Sequence, residues 1–291
     1  MRKLLSDRKK HANLSYRLAI CRLAIPVRFR FSDKLCGVNR TILTLAALAA
    51  VSATGVFAQG KPVFSENFES GKIDPAVWDQ RVAGTATIAV EPADGAHGKY
   101  ALHVHYPDMA AGSYAFAVAT HLPDSVRTHF FGRAYMKITP TMGMTHNPLI
   151  FAGENGWQLS KFDEIGSSRG KIMPSYQENK SARGQGRGEV TYRSDLDWPL
   201  DQWFLIEWEF NDMPSVINVW VNGEPLSSTV NGEKVETLKF EWPKGSGTMN
   251  GLVGGFTEFG FGARVWGAPP KGFDVYYDDI AIGTSRIGPA K

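Results

Sequence analysis

The sequence predicts an all-β fold, a jelly-roll sandwich of two antiparallel sheets. Three observations point there. After residue 60 no stretch of convincing length keeps the period of an amphipathic helix. Short runs of alternating apolar and polar residues replace it, separated by Gly, Pro, Asn and Asp. Many short strands within one stretch of this size call for a double-layered β architecture.

The elements follow in order. Phe64-Ser65-Glu66-Asn67-Phe68-Glu69-Ser70-Gly71 is a short acidic segment. Leu102, Val104 and Tyr106 share one strand face, with His103 and His105 on the other. Ala134, Met136 and Ile138 share a face, opposite Arg133, Tyr135 and Lys137. Two further strands are read at His146-Asn147-Pro148-Leu149-Ile150 and Lys171-Ile172-Met173-Pro174-Ser175. Ser181 to Gly188 is a polar, Gly-rich loop. Phe204, Ile206, Trp208 and Phe210 make a strongly apolar face, with Glu207 and Glu209 turned away. Ile217, Val219 and Val221 lead into Asn222-Gly223, the pair expected in a tight hairpin. Asn231 to Gly251 reads as an insertion carrying a short apolar strand, Leu238-Lys239-Phe240. Phe259 and Phe261 continue the pattern, and the last strand is Phe273 to Gly283.

That last strand carries adjacent carboxylates, Asp278 and Asp279. A buried charge must be paired or bound to a metal. The first and last strands are therefore expected side by side, their acids gathered around a calcium ion. The alternative is a solvated strand edge.

The front of the chain has a different character. Thr41 to Ala53 is uncharged, basic residues precede it, and Val56-Phe57-Ala58 follows. This is the pattern of a secretory signal peptide with a long basic n-region, and the apolar run is too short to span a membrane. An uncleaved anchor is the alternative. Residues 1–58 are read as the signal peptide and 59–291 as one β domain, exported and either secreted or periplasmic. Eleven of the 32 Lys/Arg and two of the 29 Asp/Glu precede the cut, which leaves 21 and 27, a net charge of −6. No basic surplus remains to drive nucleic-acid binding, and no membrane contact is expected once the signal is removed. Both cysteines, Cys21 and Cys36, lie before the cut, so the mature domain has neither disulfides nor thiolate chemistry. A monomer is expected.

Four motifs occur in order: Phe68-Glu69-Ser70-Gly71, Gly132-Arg133-Ala134-Tyr135, Trp220-Val221-Asn222-Gly223, and Asp278-Asp279-Ile280 followed by Thr284-Ser285-Arg286-Ile287-Gly288. Together they resemble the fungal cellulose-induced Cip-type proteins and the related glucuronan lyases. The resemblance covers most of the mature chain. It implies a jelly roll, a structural calcium and a cleft on the concave sheet. By position it implies calcium ligands at Glu69 and Asp278 through carboxylates, and near His97 and Tyr100 through main-chain oxygens. Calcium takes six to eight oxygen ligands. The sequence departs from the pattern at His97, which has no side-chain oxygen.

The implied activity is cleavage of a uronic-acid polysaccharide by β-elimination. Three jobs follow: neutralising the carboxylate, removing the neighbouring proton, and protonating the leaving oxygen. Arg133 is assigned the first, because arginine matches a carboxylate bidentately, with Gln158 assisting. A salt bridge to Glu207 or Glu209 is the alternative for Arg133. His146 is the candidate base and Tyr176 the candidate acid, with Tyr192 as its substitute. Tyr135 and Lys137 flank Arg133 as substrate contacts, and Gln177 is a further one. Tyr176 and Gln177 point to opposite faces, so only one can reach a cleft directly. Trp157, Trp220 and Trp266 are candidates for stacking on sugar rings. A non-catalytic carbohydrate-binding protein is the main competing class. A structural envelope protein predicts that Arg133, His146 and Gln158 do not converge. A glycoside hydrolase is disfavoured, because Glu207-Trp208-Glu209 lacks the intervening aspartate expected in such a strand.

Overall fold

Alternation in sequence becomes alternation in burial. Along His129–Ile138, half-buried and buried residues take strict turns. The computed structural model describes residues 60–290, apart from 143–145, 155–160, 179–187, 192, 213–214, 231–232, 237, 240–254 and 267–270. The chain divides into Met1–Thr54 and Gly55–Lys291. The first unit, and with it the signal-peptide reading, lies outside the described residues.

In chain order the strands are β1 Phe64–Glu66, β2 Asp79–Ala83, β3 Thr87–Pro92, β4 Tyr100–Tyr106, β5 Tyr114–Ala119, β6 His129–Ile138, β7 Asn147–Gly153, β8 Lys161–Ser168 and β9 Lys171–Glu178. They continue with β10 Gly188–Thr191, β11 Phe204–Asp212, β12 Ser215–Val221, β13 Glu224–Pro225, β14 Ser228–Val230, β15 Glu233–Val235, β16 Leu238–Lys239, β17 Glu258–Arg264 and β18 Phe273–Gly283. Two sheets face each other. The first runs β13-β12-β11-β6-β18-β4-β3, with β1 also on β18 and β16 on β12. The second runs β10-β9-β8-β7-β17-β5-β2. Pairing is antiparallel throughout, and β14–β15 form a separate hairpin. This is the all-β, two-sheet architecture expected.

Several local devices hold it together. Asn222 and Gly223 both take positive φ, 51° and 88°, as the tight β12–β13 turn requires. Gly132 on β6 sits in register with Trp208 on β11, and a Cβ at Gly132 would overlap the indole. Trp208, Phe261, Phe259, Trp78 and Phe64 then pack edge-on through the core. Tyr277 of β18 crosses between the sheets. Its buried hydroxyl lies 2.9 Å from the Leu149 carbonyl and 2.7 Å from that of Gly262.

The two sheets differ in what their other faces meet. The first has one wet face, seen in the half-buried positions of β6. In the second, every residue of β7 is buried, as is every residue of β5 but the first and of β17 but the last. One side of that sheet belongs to the main core through Ala115, Ala117, Phe259, Phe261 and Ile150. The other side carries its own cluster, Phe116, Val118 and Phe151, with Tyr114 packed on it.

Candidate functional site

The first and last strands do lie side by side: Phe64 pairs Ile282 and Glu66 pairs Ile280. Along the same edge β18 pairs β4 only as far as Tyr277–Leu102. The strand changes partner between these points. A bulge against β6 falls between Asp278 and Ala281, and Asp279 takes φ 45° within it. Asp278 thereby faces the loop before β4. Its Oδ2 accepts the His97 N–H at 2.9 Å and its Oδ1 accepts the Asp279 N–H at 2.7 Å. Glu69 takes the other end of the loop, where Oε1 accepts the N–H groups of Lys99 (2.7 Å) and Tyr100 (3.0 Å). A Cβ at Gly98 would overlap the Glu69 carboxylate, so a side chain there would push Glu69 from its place.

All four residues expected around calcium therefore meet at one loop. The fit to a cation is carried by the carboxylates. Asp278 is 1% exposed, and no Lys or Arg pairs with it among the described residues. Burial pushes its carboxyl up to about 6, against the pull of the two N–H groups. An oxygen-seeking dication suits that need. His97 and Tyr100 turn main-chain N–H groups toward these carboxylates; the oxygens expected from them as ligands are their carbonyls.

The expected catalytic set is divided between the sheets. Arg133 lies on the outward face of the first sheet. Its Nε donates to the Asp279 carbonyl at 3.3 Å and its Nη1 to the Gly288 carbonyl at 3.0 Å. It anchors the C-terminal segment, and it does not converge with His146, which precedes β7 of the second sheet. The acid foreseen as its alternative partner is taken: Glu207 binds Arg286 through two contacts, at 2.6 and 3.0 Å. Tyr135 and Lys137 share the outward face with Arg133. The Tyr135 ring packs on His97 at 3.7 Å, and its hydroxyl accepts the Ala290 N–H at 3.3 Å. Trp220 lies beneath the Arg286 guanidinium at 4.5 Å. Tyr176 belongs to the core, 2% exposed, on the same side of β9 as Ile172. Strand parity decides this, and it removes Tyr176 from any open face. Trp157, Gln158, Tyr192 and the Gln177 side chain lie outside the described residues.

Other polar groups lie on the far side of the second sheet. Arg264 of β17 stands in register with Tyr114 of β5. Its guanidinium lies 3.9 Å from the Trp266 ring centre and 5.9 Å from that of Tyr114. The main-chain N–H of Trp266 donates to the His146 carbonyl at 3.0 Å, which ties the His146 backbone to this end of the sheet. Glu164 of β8 faces the same side, beside Phe151 in register. It is 1% exposed and accepts the Ser175 hydroxyl at 2.6 Å. At the sheet's other end Arg81 clasps Glu258 through its two terminal guanidinium nitrogens, at 2.8 and 3.1 Å. The face thus offers aromatic rings, a stacked cation and a buried acid. Arg264, Tyr114 and Glu164 were not singled out from sequence. The signal was available for Arg264: in Phe259-Gly260-Phe261-Gly262-Ala263-Arg264 the alternate positions are Gly, Gly, Arg, which is an odd lining for a core.

No protein-family model matches the chain. No curated protein matches it either. Among solved structures the fold is similar to the cellulose-induced protein Cip1, with TM-score 0.54 and 18% identity over 78% of this chain and 100% of that one. It is likewise similar to the endo-β-1,4-glucuronan lyase of the fungus Trichoderma reesei, with TM-score 0.53 and 13% identity over 77% of this chain and 96% of that one. At such identities the shared property is the fold. The two named proteins are the kinds that the sequence motifs resemble. Among the described residues no helix is long and apolar enough to cross a membrane.

Proposed function

We propose that this protein engages an extracellular polysaccharide bearing uronic acids, on the side of its second sheet away from the main core, and cleaves it by β-elimination. The carrying observation is Arg264, held over Trp266 beside Tyr114. A sugar carboxylate needs a planar cation, and a sugar ring needs an aromatic face. In this reading Arg264 replaces Arg133 as the group that neutralises the carboxylate, which acidifies the neighbouring C–H. His146 takes that proton as the C–O bond to the leaving sugar breaks. Tyr114, in the role expected for Tyr176, returns a proton to the departing oxygen. The uronate gains a double bond, and no water is consumed. Glu69 and Asp278 are the residues that would hold calcium, whose contribution there is to neutralise a buried carboxylate and fix the loop between them. The domain is exported and acts as a monomer.

A second reading has one observation in its favour. Two of the four expected catalytic residues, Arg133 and Tyr176, lie off this face, while its aromatic surface would serve binding alone. The test treats the purified exported chain with glucuronan, alginate, pectate and xylan and follows the ultraviolet absorbance of an unsaturated uronate. A rise lost in Arg264→Ala and His146→Ala but kept in Arg133→Ala supports the lyase. No rise on any polymer, with retarded migration in a gel containing one of them, leaves the binding protein. A rise lost in Arg133→Ala and kept in Arg264→Ala would move the site to the other sheet.

A further inference from the structure

The wet face of the first sheet holds a cluster that the polysaccharide reading does not use. His103 and His105 are two apart on β4 and so share a side. Asp274 of β18 stands opposite His105 in register. Both imidazoles converge on one oxygen: His103 Nε2 lies 2.9 Å and His105 Nδ1 2.8 Å from Asp274 Oδ1. One ligand atom from each of the three residues falls within a mutual 4.8 Å. Behind His103, its Nδ1 lies 2.8 Å from Glu91 Oε2. Tyr276 stacks flat on the ring, at 4.3 Å and 6°.

Proton accounting makes this arrangement informative. A carboxylate can only accept. A neutral His103 that gives its Nδ1–H to Glu91 turns a bare lone pair on Nε2 toward Asp274. Two lone pairs at 2.9 Å need a cation between them, either a second ring proton or a metal ion. A carboxylate fixing the far nitrogen is also how metal-binding histidines are oriented.

We propose that His103, His105 and Asp274 form a binding site for a first-row transition dication of the zinc type. Two imidazole nitrogens and one carboxylate oxygen suit zinc, nickel or copper, whereas calcium takes oxygen ligands alone. Three protein ligands leave a fourth position to water. His105 is half exposed, so the ion enters directly from solution. Glu91 is a positioning residue that keeps Nε2 of His103 pointed at the ion. The site bridges β4 and β18 on the sheet opposite Arg264, so its effect is on the stability of this sheet and not on polysaccharide chemistry.

The test uses the whole exported chain, free of any affinity tag, stripped with a chelator and then dialysed. Zn²⁺ is titrated calorimetrically in excess Ca²⁺, with Co²⁺ absorbance as the spectroscopic probe. One equivalent is expected to bind and to raise the melting temperature. His103→Gln and His105→Gln should abolish stoichiometric binding, while His121→Gln should leave it intact. Glu91→Gln, at an exposed position that does not threaten folding, should weaken it about 10–100-fold. Absence of stoichiometric binding in the parent chain overturns the proposal. So does unchanged binding in His103→Gln and His105→Gln.

Discussion

Replacing Tyr277 by Phe removes one oxygen atom and leaves the ring, so it tests a single hydrogen-bonding group in the core. The hydroxyl sits where the second sheet's ladder fails. β7 slips register against β8 between Pro148 and Ile150, and its pairing with β17 ends at Ile150–Phe261. Leu149 and Gly262 are the residues just beyond regular pairing, and the hydroxyl reaches both of their carbonyls. Burial holds its pKa well above the usual tyrosine value, so the proton is present at any working pH. The ring is fully buried and packs on Phe261 at 5.4 Å, contacts that Phe retains. The loss is therefore a buried acceptor left without its donor, about 1–3 kcal/mol. Taking about 2 kcal/mol, a domain of this size should melt about 4–8 °C lower. Thermal and urea unfolding of parent and variant at one pH measure this, with chelator present. Tyr276→Phe, on the wet face, is the control and should stay within about 0.5 kcal/mol. A Tyr277→Phe variant as stable as the parent would refute the idea that this hydroxyl ties the two sheets together.

Gly132→Ala forces a methyl into the Trp208 indole and should cost about 3 kcal/mol; adding Trp208→Phe should return part of it, and strictly additive urea midpoints would sink the steric account. For His103, burial disfavours the charge, but the bonds to Asp274 and Glu91 outweigh it and raise the pKa. That contribution is full below about pH 6.5 and is lost as pH rises through the raised value. For Asp274, the His103 bond foremost and the His105 bond also lower the pKa against burial, so its contribution is full above about pH 3.9 and is lost as pH falls through the lowered value. With Glu91, His105, Tyr276 and Lys137 as the other groups on that face, the stability gap between parent and His103→Gln in chelator should peak between about pH 4 and 6.5; a gap independent of pH would contradict it. Asp278 has the opposite sense to Asp274. Its raised pKa of about 6 means stability is lost as pH climbs through that value. Calcium should therefore raise the melting temperature at pH 7.5, and the increment should disappear in Glu69→Gln and Asp278→Asn; no increment in the parent chain would leave these carboxylates as loop anchors only.

Much of the fold was legible because burial on one face imposes a period of two. β6, β11 and β12 could be read from Ala134/Met136/Ile138, Phe204 to Phe210 and Ile217/Val219/Val221, since each alternates these core residues with polar or part-exposed ones on the other side. Asn222-Gly223 was legible from backbone conformation alone. The meeting of the chain ends was legible from two acidic segments that a core would not tolerate without a partner. The second sheet was harder. Asn147-Pro148-Leu149-Ile150-Phe151-Ala152-Gly153 is buried at every position, so apolar residues fall on both sides and the period vanishes.

The same physics explains why the expected site came apart. Parity on β6 put Arg133 on the face opposite the core, and that inference held. What parity cannot give is which sheet a strand joins, because both sheets bury one face in the same core. Arg133 lies on the outward face of the first sheet, whereas His146 immediately precedes β7 of the second. Tyr176 fails for a complementary reason. Its strand is apolar on both sides, at Ile172 and Met173 alike, so sequence could not say which side met the core. The polar residues on that side of the second sheet, Tyr114, Glu164 and Arg264, belong to strands 50 and 100 positions apart in sequence. Their common feature is chemical: each is a polar or charged group on a sheet buried on both sides. An acid such as Glu164, 1% exposed, costs several kcal/mol unless its partners justify it. A core assembled for stability alone would replace Glu164 and Ser175 with aliphatic side chains. Glu164 and Ser175 lie on the sheet that also carries Arg264, and a buried acid on the same side as an arginine stacked on Trp266 is the ground on which the proposed site is put there.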